Sequence, residues 1–306
     1  MAGAPGFGSS SAGDPSGLAP LWPRSVLPYN LHRPIRPDAE RPSLARCPVN
    51  DSLDPPSQSR PREPGEGAGR RCGGTRREAG PGMTVILFAV LAVTGLTLPG
   101  IGLHYHEHGG LDPAYCLLAL FFSANLLICY WEACLFFRRD HIAGRAEYWR
   151  ERQQKTGRAP GAEFLTSRVP LRRLLSTELW GDLWSAYSTY DGSYADRRTF
   201  GFNVDMGNGF FTPVPTLLLY AAFTVEFMPA LYAGILGVAL FWQWAYVTSL
   251  YWVSFHVAGR HRQIGMNRLY YLYVVGPNSV WILFPLLGLY VSIRLIVEGH
   301  YGVLGH

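Results

Sequence analysis

Hydrophobic and polar positions along this chain come in long blocks rather than in alternation. Met83 to Leu103 carries no charge and is long enough to cross about 30 Å of hydrocarbon as a helix. The polar stretch HYHEHGGLD reads as a short loop. Pro113 then opens a second block that ends at Phe137, with Glu132 as its only charged residue, and Arg138 and Arg139 stop it. Residues 138–200 form one long polar connection, with plain loop around QQKTGRAPGAE and with Trp149, Trp180 and Trp184 as expected interfacial anchors. A third block covers about 203–225, where Pro213 and Pro215 free backbone carbonyls that neighbouring helices must cover. The fourth, 227–255, is uncharged. After the basic loop HVAGRHRQIGMNR a fifth covers 269–293. The pattern predicts an all-α integral membrane protein, a five-transmembrane-helix bundle over residues 83–306.

The stretch from Leu183 to Met206, LWSAYSTYDGSYADRRTFGFNVDM, feeds the third block. Leu183, Trp184, Tyr187 and Tyr190 or Asp191 recur at three- and four-residue steps, which predicts an amphipathic helix at the membrane surface with one aromatic face. Tyr194 completes that face, and Asp196, Arg197 and Arg198 mark its wet edge.

Composition sharpens this picture. Of 306 residues, 48% are hydrophobic, 14% aromatic and only 16% charged, against about a quarter charged in an ordinary soluble domain. A net charge of +5 in a soluble protein would point to nucleic acid. Here the excess sits in loops 138–200 and 257–268, whereas 104–112 and 226–229 contain no Lys or Arg, so membrane lipids and not nucleic acid are the expected partners. The same asymmetry places the two basic loops in the cytoplasm and residue 306 on the other side, with Arg294 a weak counter-argument. Residues 1–82, rich in Gly, Pro, Ser and Arg, predict a disordered low-complexity tail. They lack the regions of a secretory signal, and Met83 reads as an alternative start. Cys116, Cys129 and Cys134 fall in one apolar block, and with Cys47 and Cys72 they match no zinc spacing, so they read as packing residues.

Polar residues at membrane depth are the candidate chemistry. Glu132 lies five residues from the end of its block, within roughly 8 Å of the interface. Either it snorkels or pairs with Arg138 or Arg139, or it faces the bundle interior as a functional acid. Asn125 lies seven residues back on the same helical face. Asn278 and Trp281, three apart in the fifth block between Pro277 and Pro285, share a face, and Asn278 either lines a site or bonds a neighbouring helix. Asp205, with Asn203 and Asn208, opens the third block as a helix-start residue or a second acid. His104, His106, Glu107 and His108 alternate as metal ligands would on an extended segment, but no further ligand cluster accompanies them, so a solvated loop and no metal are expected. Tyr270, Tyr271 and Tyr273 form an aromatic belt. No phosphate-binding glycine loop, nucleophile elbow or heptad pattern occurs.

The pattern LW-x-x-Y-x-x-x-D-x-x-Y, here Leu183, Trp184, Tyr187, Asp191 and Tyr194, is followed by F-x-V-x-M at Phe202, Val204 and Met206. Together with Glu132 late in the second block, and Asn278, Trp281 and Pro285 in the last, it resembles the emopamil-binding (sterol Δ8–Δ7 isomerase) family of the EXPERA superfamily. The resemblance covers about residues 83–297. It implies a ligand cavity in the bundle for a sterol-like substrate, and an isomerisation in which a ring double bond is protonated and the carbocation loses a neighbouring proton. That chemistry needs a buried acid, a carboxylate and an aromatic face near the cation, and no cofactor. Glu132 and Asp205 are the catalytic residues it implies, Asp205 standing in for a family glutamate whose position here is Gly207. Asn125, Trp184, Tyr187, Asp191, Tyr194, Asn278 and Trp281 are the implied substrate-binding set. A family histidine four residues before the glutamate corresponds to Ile128, and an arginine to Ser193. Three readings follow: a sterol-type isomerase, a sterol- or lipid-binding protein of the same fold, and a structural membrane protein. The expected partners are a sterol or other apolar lipid, membrane lipids and a second copy of the chain. The expected location is the endoplasmic reticulum in a eukaryote or the plasma membrane in a bacterium.

Overall fold

A computed structural model describes residues 82–264 and 268–306 of the chain. The tail expected over residues 1–82 therefore lies, apart from Gly82, outside the described residues. Gly82–Thr84 (β1) pairs antiparallel with Arg168–Pro170 (β2). Most of the rest of the described chain is helical: α1 (Val85–His108), α2 (Pro113–Phe137), α3 (Arg139–Thr156), α4 (Pro160–Thr166), α5 (Thr177–Tyr187), α6 (Phe200–Phe211), α7 (Pro213–Val225) and α8 (Ala230–Val257) come first. The single turns α9 (His261–Ile264) and α10 (Arg268–Tyr270) follow, and a π-helical stretch Tyr271–Val275 leads into α11 (Gly276–Glu298). Four helices are long and apolar enough to cross a membrane, α1, α2, α8 and the continuous run Arg268–Glu298. Their outward faces are apolar, with Leu87, Val90, Leu98, Trp242 and Leu283 all exposed, as lipid contact requires. The chain is membrane-embedded by this construction.

Several expected boundaries move. The third span is two helices rather than one, α6 and the 13-residue α7, because Pro213 opens a new helix immediately after Thr212. The amphipathic helix expected over Leu183–Met206 stops at Tyr187. The Asp191 carboxylate accepts from the Ser193 amide and the Thr199 hydroxyl from the Phe202 amide, which supplies a short 3-10 turn (Gly192–Ala195) and a fresh helix start. The loop expected at 104–112 is helical up to His108, where Gly109 at φ 73° ends α1. The loop expected around residues 153–163 is likewise mostly helix, broken by Gly157 at φ 67°. Trp149, Trp180 and Trp184 are not interfacial anchors. All three are buried, Trp149 and Trp180 in a core that packs α3, α4 and α5 against α2, with Trp180 stacked on Trp131 at 4.6 Å, and Trp184 in a second cluster with Leu135, Ile142, Tyr194 and Phe202.

Two close helix approaches set the bundle. At Gly237 on α8 an added Cβ would collide with the Ser292 side chain of α11, so the smallest residue lets these helices meet. At Gly209 on α6 a Cβ would lie 2.5 Å from the Ala133 amide nitrogen of α2. That second approach brings α6 onto the stretch of α2 that carries Glu132.

A candidate acid-lined cavity in the helix bundle

Glu132 is buried and touches neither Arg138 nor Arg139, whose recorded partners are the Thr177 hydroxyl and the Phe136 carbonyl. Its Oε2 accepts from Asn208 Nδ2 at 2.5 Å. The amide of Asn208 is oriented by its other end, because Trp244 Nε1–H only donates and reaches Asn208 Oδ1 at 2.9 Å. The Asn208 nitrogen must then face Glu132. Three helices, α2, α6 and α8, thus meet at one fixed carboxyl group.

A cavity of about 220 Å³ opens beside it, lined by Glu132, Asp205, Trp184, Tyr187, Tyr194, Asn278 and Trp281, together with Ile128, Trp131, Asn208 and Tyr251 among others. Seven of the nine residues expected at a site therefore share one space. Asp205 faces it from the middle of α6, where Tyr194 donates to its Oδ2 at 2.5 Å. Tyr194 stacks on Trp184 at 4.8 Å, and Trp184 Nε1 donates to the Trp131 carbonyl at 2.8 Å, tying α5 to α2. Burial holds the Tyr187 and Tyr194 phenols well above the ordinary tyrosine range, with the charge of Asp205 adding to the effect for Tyr194. Both remain hydrogen-bond donors at neutral pH.

On the opposite wall, Pro277 has no N–H to return to Tyr273, and the Tyr273 carbonyl accepts the Tyr187 hydroxyl at 3.0 Å. Asn278 donates to the Val274 carbonyl one turn before it at 2.7 Å, and its side chain also lies in hydrogen-bonding reach of the Tyr187 hydroxyl of α5, so it both lines the cavity and meets a neighbouring helix. The prolines and the π-helical stretch thereby place Asn278 and Trp281 on the cavity wall.

Two expected substrate contacts stand elsewhere. Asn125 is behind the wall: its Oδ1 accepts Trp281 Nε1 at 3.2 Å and its Nδ2 donates to Thr216 at 3.2 Å, so it orients Trp281. Asp191 is fully buried below the floor, where it accepts the Tyr251 hydroxyl at 2.8 Å and lies 3.8 Å from Arg260. It braces the Gly192–Ala195 turn against α8. Gly207 is on neither wall of this cavity but lines a neighbouring groove between α6, α7 and α8.

Sequence reasoning passed over Trp131 and Tyr251, and it gave Asn208 no role beside Glu132. Trp131 lines the cavity and carries a buried Nε1–H without a partner. An aromatic inside an apolar block gives no signal of its own. Asn208, three residues after Asp205 near the start of the third block, did carry one, since amides in hydrocarbon need partners. No family model matches this chain, and no curated protein matches it.

Proposed function

We propose that the protein is a membrane-embedded double-bond isomerase of the sterol Δ8–Δ7 type, working in the cavity beside Glu132. The observation that carries this reading is that two carboxyl groups and four indole rings line one space whose lining residues include no basic side chain. A carbocation formed there has carboxylates and aromatic faces near it and no competing cation. The Glu132 carboxyl adds its proton to one carbon of the ring double bond, the π electrons forming the new C–H bond. The adjacent carbon becomes cationic. Asp205 accepts a proton from the next carbon, and those C–H electrons form the shifted double bond. One proton is gained and one lost, so no cofactor is needed. Asn208 holds Glu132 in place, Tyr194 holds Asp205, and the unmet Trp131 Nε1–H is left for a hydroxyl on the ligand. The membrane would be the endoplasmic reticulum in a eukaryotic host and the plasma membrane in a bacterial one.

A second reading, lipid binding without turnover, is favoured by one observation. Ile128, at the place of the family histidine, puts an apolar side chain on the cavity wall, and Gly207 leaves the place of the family's second acid without a side chain. The full chain, expressed in a strain lacking sterol Δ8–Δ7 isomerase, should yield Δ7 sterols by mass spectrometry, and Glu132→Gln should not. Product that persists with Glu132→Gln removes the assignment of the acid. No product, together with saturable binding of a labelled sterol, replaces the first reading with the second.

A further inference from the structure

At the other end of the bundle, three histidines from two distant segments meet. His104 and His108 are one helical turn apart on α1, and His306 returns to them from the segment after α11. One ring nitrogen from each lies within 4.8 Å of those of the other two. Tyr115 on α2 stacks on His104, and the 17 residues from there to Glu132 put about 25 Å between the two places.

The rings stack, His108 on His306 at 3.7 Å and His104 on Tyr115 at 3.7 Å, which accounts for their positions. Stacking does not account for their nitrogens. His104 is fully buried and neither of its ring nitrogens makes a hydrogen bond of good geometry, with the Phe223 backbone close by, and His306 Nε2 is buried and unbonded as well. A phenylalanine at 104 would stack equally well without the cost, about 1–3 kcal/mol, of an unmet buried polar group.

The remaining nitrogens are held in the manner of metal ligands. His108 Nε2 is 3.1 Å from the Thr224 carbonyl, which only accepts, so Nε2 carries the proton and Nδ1 keeps its lone pair. His306 Nδ1 bonds the Glu226 carboxylate, which leaves Nε2 with the lone pair. Carbonyl–histidine and carboxylate–histidine pairs of this kind fix the tautomer and aim of a ligating imidazole. Glu226 itself sits at φ 50°, ψ 34°, the one non-glycine residue at positive φ among those described. A β-carbon in that region is strained, and the corner between α7 and α8 holds the carboxylate there against His306.

We propose that His104, His108 and His306 form a three-histidine site for a borderline divalent transition metal, Zn2+ first, with Glu226 and the Thr224 carbonyl as orienting groups. Imidazole nitrogens select this class over Mg2+ and Ca2+. Zn–N bonds of about 2.0–2.1 Å in a tetrahedron put ligand nitrogens about 3.3 Å apart, so on loading the nitrogens close by at most about 1.5 Å and the stacked His108 and His306 rings tilt so that their in-plane lone pairs converge. His306 follows Gly305, at φ 84°, on a short segment that can make this shift. The metal would pin that segment and the α7–α8 corner to the end of α1, leaving a fourth position for water on the Glu226 side, where the rim is exposed.

The test uses the full chain in detergent with a tag that contains no histidine. It is treated with chelator, incubated with Zn2+ alone, freed of excess by gel filtration and measured for metal per chain. Wild type and His106→Ala, whose ring is exposed on the same helix end, should each retain one Zn2+. His104→Leu and His306→Ala should retain none at the same elution volume. Glu226→Gln, which keeps all three rings, should bind about 10–100-fold more weakly in competition with a chelator, and this carries the test if either histidine variant fails to fold. Co2+ should give the intense visible absorption of a tetrahedral centre in wild type and lose it in His306→Ala. No retained Zn2+ in wild type, equal retention in His104→Leu, or unchanged affinity in Glu226→Gln would each overturn the proposal.

Discussion

The two ends of the bundle both bury polar groups among apolar helices, but they treat them differently. Around Glu132 the groups answer one another: Asn208 serves Glu132, Trp244 and Thr212 together, Tyr194 serves Asp205, and Asn125 serves Trp281. Among the described residues, Trp131 Nε1 is the one cavity-wall side-chain atom that is buried and unmet. Around His104 the outer nitrogens of His108 and His306 are met, while both nitrogens of His104 and Nε2 of His306 are buried and unmet. A closed network specifies a unique arrangement of helices around a hollow. An open one, costly as it stands, is completed by something that accepts several lone pairs at once.

Four substitutions break or sharpen this comparison. The largest effect is expected at Glu132→Gln, which preserves shape and removes the transferable proton. Product formation should fall about 10²–10⁴-fold while sterol binding persists, measured by sterol mass spectrometry and ligand binding on one preparation. Next is Asn208→Leu, which strands Glu132 Oε2 and Trp244 Nε1 together and should destabilise the chain by about 3 kcal/mol in a detergent melt, with or without metal. His104→Leu should give the opposite result in chelator, a melting temperature equal to or above wild type, because it removes unmet groups. In Zn2+ at about 100 times the dissociation constant it should fall behind wild type by roughly 2.7 kcal/mol. Equal behaviour in the two solutions would erase the distinction between the two ends. The smallest effect is expected at Trp131→Phe. Stability should hardly change, since the lost donor has no partner, while affinity for a hydroxylated sterol should drop about tenfold and affinity for its deoxy analogue should not.

Much of the frame was legible in the blocks of uncharged residues, because a segment in hydrocarbon must satisfy its backbone internally and therefore forms a helix. The same rule fails at Thr212–Pro213, where a missing N–H outweighs continuous apolarity and gives two helices for one block. It also misjudges 104–108. Polar histidines suggest a loop, yet α1 continues until Gly109, and helical rather than extended spacing makes His104 and His108 neighbours. The tryptophans of 138–200 read as interface anchors for want of any sign that α3, α4 and α5 would fold over them.

The sequence by itself determined that long apolar blocks carry a few isolated polar groups, Glu132, Asn125, Asp205 and Asn278 among them. Local periodicity and the cost of charge in hydrocarbon are properties of a single segment, so one strand of text suffices to read them. Only the tertiary structure decided which of those groups share a space. That depends on close approaches such as Gly209 against Ala133, on carbonyls freed by Pro277, and on a segment after α11 that brings His306 back to α1. Each is a contact between residues far apart in the chain, and no spacing along the sequence encodes it.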